Sequence, residues 1–227
     1  MRVLRVFGRE ACLAGSSLVV ADLHLGVEAE LRRAGVRVPS QRERLLLKLE
    51  ELVRRVKPRR LVVLGDLRHS IPLPERRERR EVGALVEELG TLVQEVVLVK
   101  GNHDGGIERL VRGAEVCRAF ADAGVLMLHG HALHPWEGFT HLLLAHAHPV
   151  VEFEDGAGGR VREKVWVEVS PGEESPGVTL MPAFGELSPG VRVNREELPG
   201  AVLRRFELGG AMVYLLDGTC LGMLREL

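Results

Sequence analysis

Five short apolar runs in the chain each stop abruptly at a polar cluster. Leu18-Val19-Val20-Ala21 runs into Asp22-Leu23-His24, and Leu61-Val62-Val63-Leu64 into Gly65-Asp66-Leu67-Arg68-His69. Val96-Val97-Leu98-Val99 is followed by Lys100-Gly101-Asn102-His103-Asp104. Val125-Leu126-Met127-Leu128 ends at His129-Gly130-His131, and Leu142-Leu143-Leu144 at Ala145-His146-Ala147-His148. Apolar runs of this length predict buried strands. Between them the period changes. Leu45, Leu46, Leu49, Leu52, Val53 and Val56 recur at helical spacing within 41–57, with Ser40 as N-cap and Pro58 just beyond the end. Segments 28–34, 75–89 and 107–112 read as further helices. The chain opens with a strand, a turn at Gly8-Arg9-Glu10 and a second strand over 11–14.

Strands alternating with helices predict an α/β layer arrangement. Strands are also expected at 115–118 and 124–128. From Val150 the character shifts to β: a hairpin around Asp155–Gly159 joins strands 150–154 and 160–169, and further strands are expected near 177–181, 201–208, 211–216 and 219–225. Segments 170–177 and 185–200, rich in Pro, Gly and Glu, read as loops. The expectation is a single domain over 1–227, with its chemistry in 1–149 and sheet completion in 150–227.

Composition narrows this little. The net charge of −1 gives no global case for nucleic-acid or membrane binding. Locally, Val27–Arg60 carries nine Arg and two Lys against five Glu, a +6 flank that would favour a polyanionic substrate beside an anion-cleaving centre. Cys12, Cys117 and Cys220 are scattered and odd in number, which suits reduced thiols and indicates no thiolate metal site. No run approaches the roughly 20 apolar residues of a membrane span, and no signal segment is visible, so a cytoplasmic protein is expected. Only two Asn and two Gln occur in 227 residues, which fits a hot-living source. It also makes Asn102, set between Gly101 and His103-Asp104, hard to dismiss as filler.

In open α/β sheets, sites form at the carboxyl ends of strands, and the five clusters lie there. Cleaving a phosphate ester at neutral pH needs a strong nucleophile, charge neutralisation and a proton donor. Two cations about 3.5–4 Å apart supply the first two. Asp22, His24, Asp66, Asn102, His129, His146 and His148 offer a mixed N/O ligand set, which suits two ions of Mn, Fe or Zn better than Ca or Mg.

The ordered blocks Asp-x-His, Gly-Asp, Gly-Asn-His-Asp, His-Gly and His-x-His over residues 17–149 resemble the calcineurin-like metallophosphoesterase family. The resemblance implies a four-layer α/β/β/α sandwich. It also implies that Asp22, His24 and His148 hold one metal, that Asn102, His129 and His146 hold the other, and that Asp66 bridges them with a hydroxide nucleophile between. His103 would be the transition-state stabiliser and general acid, and Asp104 would orient it by a hydrogen bond. Gly65-Asp66-Leu67-Arg68-His69 is similar to the Gly-Asp-Leu-x-His segment of SbcD-type repair nucleases, whose histidine faces the scissile phosphate. That implies the same for His69, with Arg68 as a possible phosphate contact. Ala21–Gly26, Trp136 and Met181-Pro182-Ala183-Phe184 resemble a compact branch of SbcD-related phosphoesterases found in archaea and beside bacterial repair ligases. The expected substrate is a phosphodiester, nucleic acid foremost. A phosphomonoesterase with the same centre and a non-catalytic scaffold are the alternatives, and homo-oligomerisation is left open. His131 is expected to hydrogen-bond behind the ligands, His134 and His141 to be surface or core residues, and Trp136 and Phe139 to pack. Ala145 stands where the family has Gly, a substitution that costs about 1 kcal/mol only if that position needs positive φ.

Overall fold

The computed structural model describes residues 3–173 and 175–227. Six strands, β1 (Leu4–Arg5), β2 (Ala11–Ala14), β3 (Ser17–Ala21), β4 (Arg60–Leu64), β5 (Glu95–Val99) and β6 (Glu115–Cys117), pair in chain order into one sheet. Three helices intervene: α1 (Val27–Arg33), α2 (Arg42–Val56) and α3 (Arg76–Leu92). The second sheet holds β7 (Phe120–Asp122), β8 (Val125–Leu128), β9 (His141–Leu144), β10 (Pro149–Glu154), β11 (Arg160–Val169), β12 (Gly177–Leu180), β13 (Val191–Arg192), β14 (Met212–Leu215) and β15 (Cys220–Met223). Its order is β13–β10–β11–β12–β9–β8–β7, with β14 bridging β11 to β15. Strands β3 to β6 are mutually parallel, as are β8, β9 and β12.

Side-chain alternation explains why these runs are apolar throughout: both faces are covered. In β3–β5, Leu18, Val20, Leu61, Val63, Val96 and Leu98 face Leu45, Leu49, Leu52, Val82, Leu85 and Leu89 of α2 and α3. The intervening Val19, Val62, Leu64, Val97 and Val99 meet Val125, Met127, Leu143, Trp166 and Met181 of the second sheet. Each such side chain stabilises the fold by about 1.5–3 kcal/mol relative to exposure. The layered α/β architecture read from the sequence is present. Its outer layer over the second sheet is thin, formed by Leu198, Val202 and Leu203 with Trp136, Phe139 and Phe206 at the margin. Trp136 and Phe139 are packing residues, as expected.

Segment 201–208, read as a strand, instead turns through a short 3-10 helix, Leu203–Arg205. Its apolar residues do not alternate, and Gly200 with φ 129° bends the chain just before it. Strand β7 was not anticipated. It forms a hairpin with β8 through Ala123 and Gly124, both at positive φ, as a two-residue type I′ connection requires. Ser40 does not cap with the N2 or N3 amide of α2; its hydroxyl accepts from Arg42 N–H (3.3 Å) and donates to Glu81. Among the described residues, no helix is long and apolar enough to cross a membrane.

Candidate metal centre

The carboxyl ends of β3, β4 and β5 lie side by side in one sheet, and those of β8 and β9 in the other, with the shared core between the sheets bringing the two sets together. Past those ends the backbone stays zipped: Asp22 N–H donates to Gly65 O (3.2 Å) and His24 N–H to Asp66 O (2.9 Å). The segment after β12 braces the same end, with Phe184 N–H on Ala21 O (2.7 Å) and Gly185 N–H on Asp22 O (3.1 Å). Asp22, His24, Asp66, His146 and His148 all occupy the left-handed region, with φ between 42° and 75°. This conformation costs a non-glycine residue about 1 kcal/mol or more, and such outliers gather at functional sites. Two glycines admit the cluster. A Cβ on Gly101 would lie 2.0 Å from Asp66 Oδ1, and one on Gly65 would lie 2.1 Å from His129 Cδ2.

Three groups of ligand atoms form, Asp22 with His24 and His148, Asp66 with His129 and His146, and His24 with His69 and His103, each within 4.8 Å, and the first two carry the carboxylates. Asp66 Oδ2 stands between them, 3.8 Å from His24 Nε2 and 3.6 Å from His129 Nε2. Asp22 also reaches both sets, with Oδ1 2.9 Å from His129 Nε2 and Oδ2 3.4 Å from His148 Nε2. The hydrogen bonds behind the rings assign the tautomers. His69 Nε2–H donates to Glu30 Oε2 (2.6 Å), which leaves His69 Nδ1 to accept from His24 Nδ1–H (3.2 Å). His148 Nδ1–H donates to the Pro189 carbonyl (3.0 Å). His24 Nε2 is therefore a lone-pair atom, and it faces His148 Nε2 at 3.3 Å beside two carboxylates. Either a proton on His148 or a bound cation satisfies that contact.

The electrostatics agree. Burial, with the charge of His148, depresses His24 to about 3. Burial, with the charge of His129, depresses His146 to about 4. Both are thus neutral donors near pH 7. Burial also opposes protonation of His129 and His148, but Asp22 and Asp66 beside them carry both above the ordinary value. Burial opposes ionisation of Asp22, yet His148 and His129 hold it well below the usual carboxylate range. His24, His146 and Asp22 thus present deprotonated N and O donors, which fits divalent metals.

The other sequence candidates separate here. Asn102 is exposed between Gly101 and His103, whose N–H donates to Asp66 Oδ1 (2.8 Å). His103 Nδ1–H donates to the His69 carbonyl, and its Nε2 lies 3.9 Å from Asp66 Oδ2. Asp104 does not orient His103. Its buried carboxylate accepts from the N–H groups of Gly101 (2.9 Å), Arg68 (3.3 Å) and Leu67 (3.4 Å), tying the Asp66 turn to the Gly101 turn. Arg68 is not available to a phosphate. It is fully buried, and its guanidinium donates to the carbonyls of Ser70, Pro72 and Gly105. His69 lies at the centre, its ring stacked on His103 at 5.6 Å and its nitrogens on Glu30 and His24. Ala145 is outside the left-handed region, so the methyl group carries no backbone strain. His131 Nδ1 lies 3.0 Å from His129 Nδ1, as expected of a partner behind the ligand. His134 is half-buried with Nδ1 on the Pro135 carbonyl, and His141 bonds Thr179. Most of the +6 flank is spent within the fold: Arg33, Arg42, Arg44, Lys48, Arg59 and Arg60 all pair with acids outside that segment.

Two residues were invisible to sequence reasoning. Glu30, on α1, fixes His69. Glu78, buried on α3, accepts from His69 N–H (3.0 Å) and Ser70 N–H (2.9 Å). Neither stands in a local motif; both reach the centre from helices.

The chain is similar in structure to the Pseudomonas putida nuclease MPE, with a TM-score of 0.63 and 22% identity over 95% of this chain and 96% of that one. YfcE, a phosphoesterase from E. coli, aligns at a TM-score of 0.42 and 15% identity over 91% of this chain and 96% of that one. No curated protein sequence matches. The calcineurin-like phosphoesterase family model matches residues 16–177, from the residue before β3 to the start of β12, and the chain belongs to that family of metal-dependent hydrolases.

Proposed function

We propose that the protein is a dinuclear phosphodiesterase that cleaves nucleic acid. The observation that supports this best is the pair of three-residue ligand groups sharing Asp66 between them. Asp22, His24 and His148 would hold one cation, and Asn102, His129 and His146 the other, with Asp66 common to both; Mn, Fe and Zn suit these donors. When bound, the ions make water acidic enough to attack at neutral pH and neutralise phosphoryl charge.

The chain's own residues do the rest. The Glu30–His69–His24 relay keeps His24 Nε2 unprotonated and pointed inward. Because the His69 carbonyl holds His103 Nδ1–H, only Nε2 of His103 can take up or release a proton, and that atom faces Asp66. His103 would thus protonate the leaving alkoxide from Nε2, a role suited to an imidazole near pH 7. His69 and Glu30 are positioning residues, and Asp104 is the tie between the two loops. A monoesterase would need a cation for the dianion. Arg68, the candidate beside Asp66, is locked in a loop, while a cleft of about 460 Å³ opens beside His129. The locked Arg68 removes the cation nearest Asp66, and the cleft gives room for the second ester arm of a diester.

The test is turnover of bis(p-nitrophenyl) phosphate against the p-nitrophenyl monoester in Mn²⁺, followed by plasmid nicking. Diester turnover above monoester turnover, with nicking, is expected. Strong monoester turnover without diester cleavage would reverse the assignment.

A further inference from the structure

The cleft beside His129 is bounded by Gly101, Lys100, Arg118 and His131 and closed by Leu133 and Pro135. A second cavity of about 580 Å³ shares Leu133, His134 and Pro135 with it and runs on to Trp136, Phe206 and Arg205. The two cavities adjoin at these three residues, and the first reaches the centre at His129. Their volumes are in the range of small-molecule sites, so each could take a nucleotide-sized group.

The charges along these two cavities are distributed unevenly. Lys100 is partly neutralised by Glu108 at 2.5 Å, and Glu137 stands on the wall of the second cavity. Arg118 is exposed and forms no ion pair or side-chain hydrogen bond among the described residues, and the same holds for Arg205. Other arginines that the sequence offered for a phosphate are already held, Arg68 by carbonyls and Arg42 and Arg44 by acids. The opposite flank of the centre presents the Glu30 carboxylate, 69% exposed, which repels a polyanion. A strand of phosphates lying across the centre would therefore leave it toward Arg118, where a guanidinium can bind a phosphate oxygen pair in bidentate fashion.

We propose that the Arg118 cleft binds the phosphate adjoining the scissile one in a polynucleotide, with Arg205 meeting the chain in the second cavity. The inference rests on the nucleic-acid reading above and adds to it the direction of the strand and the residues that grip it.

The test uses the full chain in Mn²⁺ with a fluorescent single-stranded oligonucleotide and with bis(p-nitrophenyl) phosphate, which has no second phosphate. Arg118→Gln is expected to lower the ratio of kcat/KM for the oligonucleotide to that for the small diester about tenfold, chiefly through KM. The dependence of log KM on log salt concentration should flatten by about 0.7, the loss of one phosphate contact on a single strand. Arg118→Glu should lower the ratio further, and Arg205→Gln should lower it less than Arg118→Gln. Arg54→Gln removes the same charge from the last turn of α2, at the far end of the sheet, and should leave the ratio unchanged. If the wild type cleaves the oligonucleotide and Arg118→Gln keeps its ratio and salt slope, the subsite is refuted while the nuclease reading stands. If the wild type hydrolyses the small diester but leaves oligonucleotides intact, the nuclease reading fails and the subsite with it.

Discussion

Gly101→Ala is the most discriminating single-methyl change in this molecule. The new Cβ would sit 2.0 Å from Asp66 Oδ1 and 2.5 Å from Asp66 N, where non-bonded heavy atoms keep at least 3.0 Å apart. One of the two loops must therefore move by about 1 Å. The neighbours cannot yield cheaply: Asp66 Oδ1 holds His103 N–H, and Asp104 ties Gly101 N–H to the Asp66 turn. Overpacking of this kind costs about 1–3 kcal/mol. A displacement near 1 Å of a group shared by two ligand sets can lower turnover about 100-fold. Gly105→Ala is the matched control, since its Cβ would meet only Arg68 Nη2 at an ordinary 3.7 Å. Diester turnover, bound metal per chain and the urea midpoint should be measured for both variants. Gly101→Ala is expected to lose metal and about two orders of magnitude of activity, with Gly105→Ala close to wild type. Full metal content and turnover within threefold of wild type in Gly101→Ala would refute the claim that Asp66 is held against that backbone.

Three further outcomes follow from named contacts. His103→Ala should keep its metals and lose about 10²–10⁴ in turnover, the range for a lost general acid; equal kinetics would remove His103 from that role. Glu30→Ala, at an exposed position, should leave the thermal midpoint within a degree or two while weakening metal affinity about 10–100-fold. Unchanged affinity in a competition titration with a chelator would sink the relay. Glu10 is nine-tenths buried, with Lys164 Nζ at 2.9 Å and Lys48 Nζ at 3.6 Å. Burial pushes its pKa up, but the two lysines outweigh this and leave it below the ordinary value. Its contribution is thus complete above the unfolded carboxylate pKa and is lost as pH falls through the folded one. Glu10→Gln should cost about 3 kcal/mol at pH 7 by urea unfolding, and the gap to wild type should shrink toward pH 3. A gap independent of pH would contradict the pairing.

Much of this was legible in the sequence because it is local. Continuous apolar runs flanked by Asp, Asn and His mark parallel strands and their carboxyl ends, so β3, β4, β5, β8 and β9 and the residues beyond them could be read directly. Arg68 and Asp104 were misread for one shared reason. Adjacency to Asp66 or His103 in the chain does not say where a long or buried side chain spends its hydrogen bonds, and the two turned to backbone carbonyls and amides. Glu30 and Glu78 could not be found at all, since they meet the centre only after α1 and α3 dock. The +6 count over 27–60 was arithmetically sound but physically misleading, because its partners, Glu75, Glu88, Glu95 and Glu186, lie elsewhere in the chain. Residues 201–208 were misassigned because an apolar run without alternation suits a short turn against a sheet as well as a strand.

The central claim is that Asp66 is shared by two cations. Elemental analysis of chain dialysed against Mn²⁺ or Zn²⁺, with an anomalous-scattering map from the same material, measures it directly. The account predicts two ions per chain in the wild type, one on each side of Asp66, and fewer than one in Asp66→Ala. A single ion, or two ions that survive the loss of Asp66, would contradict it.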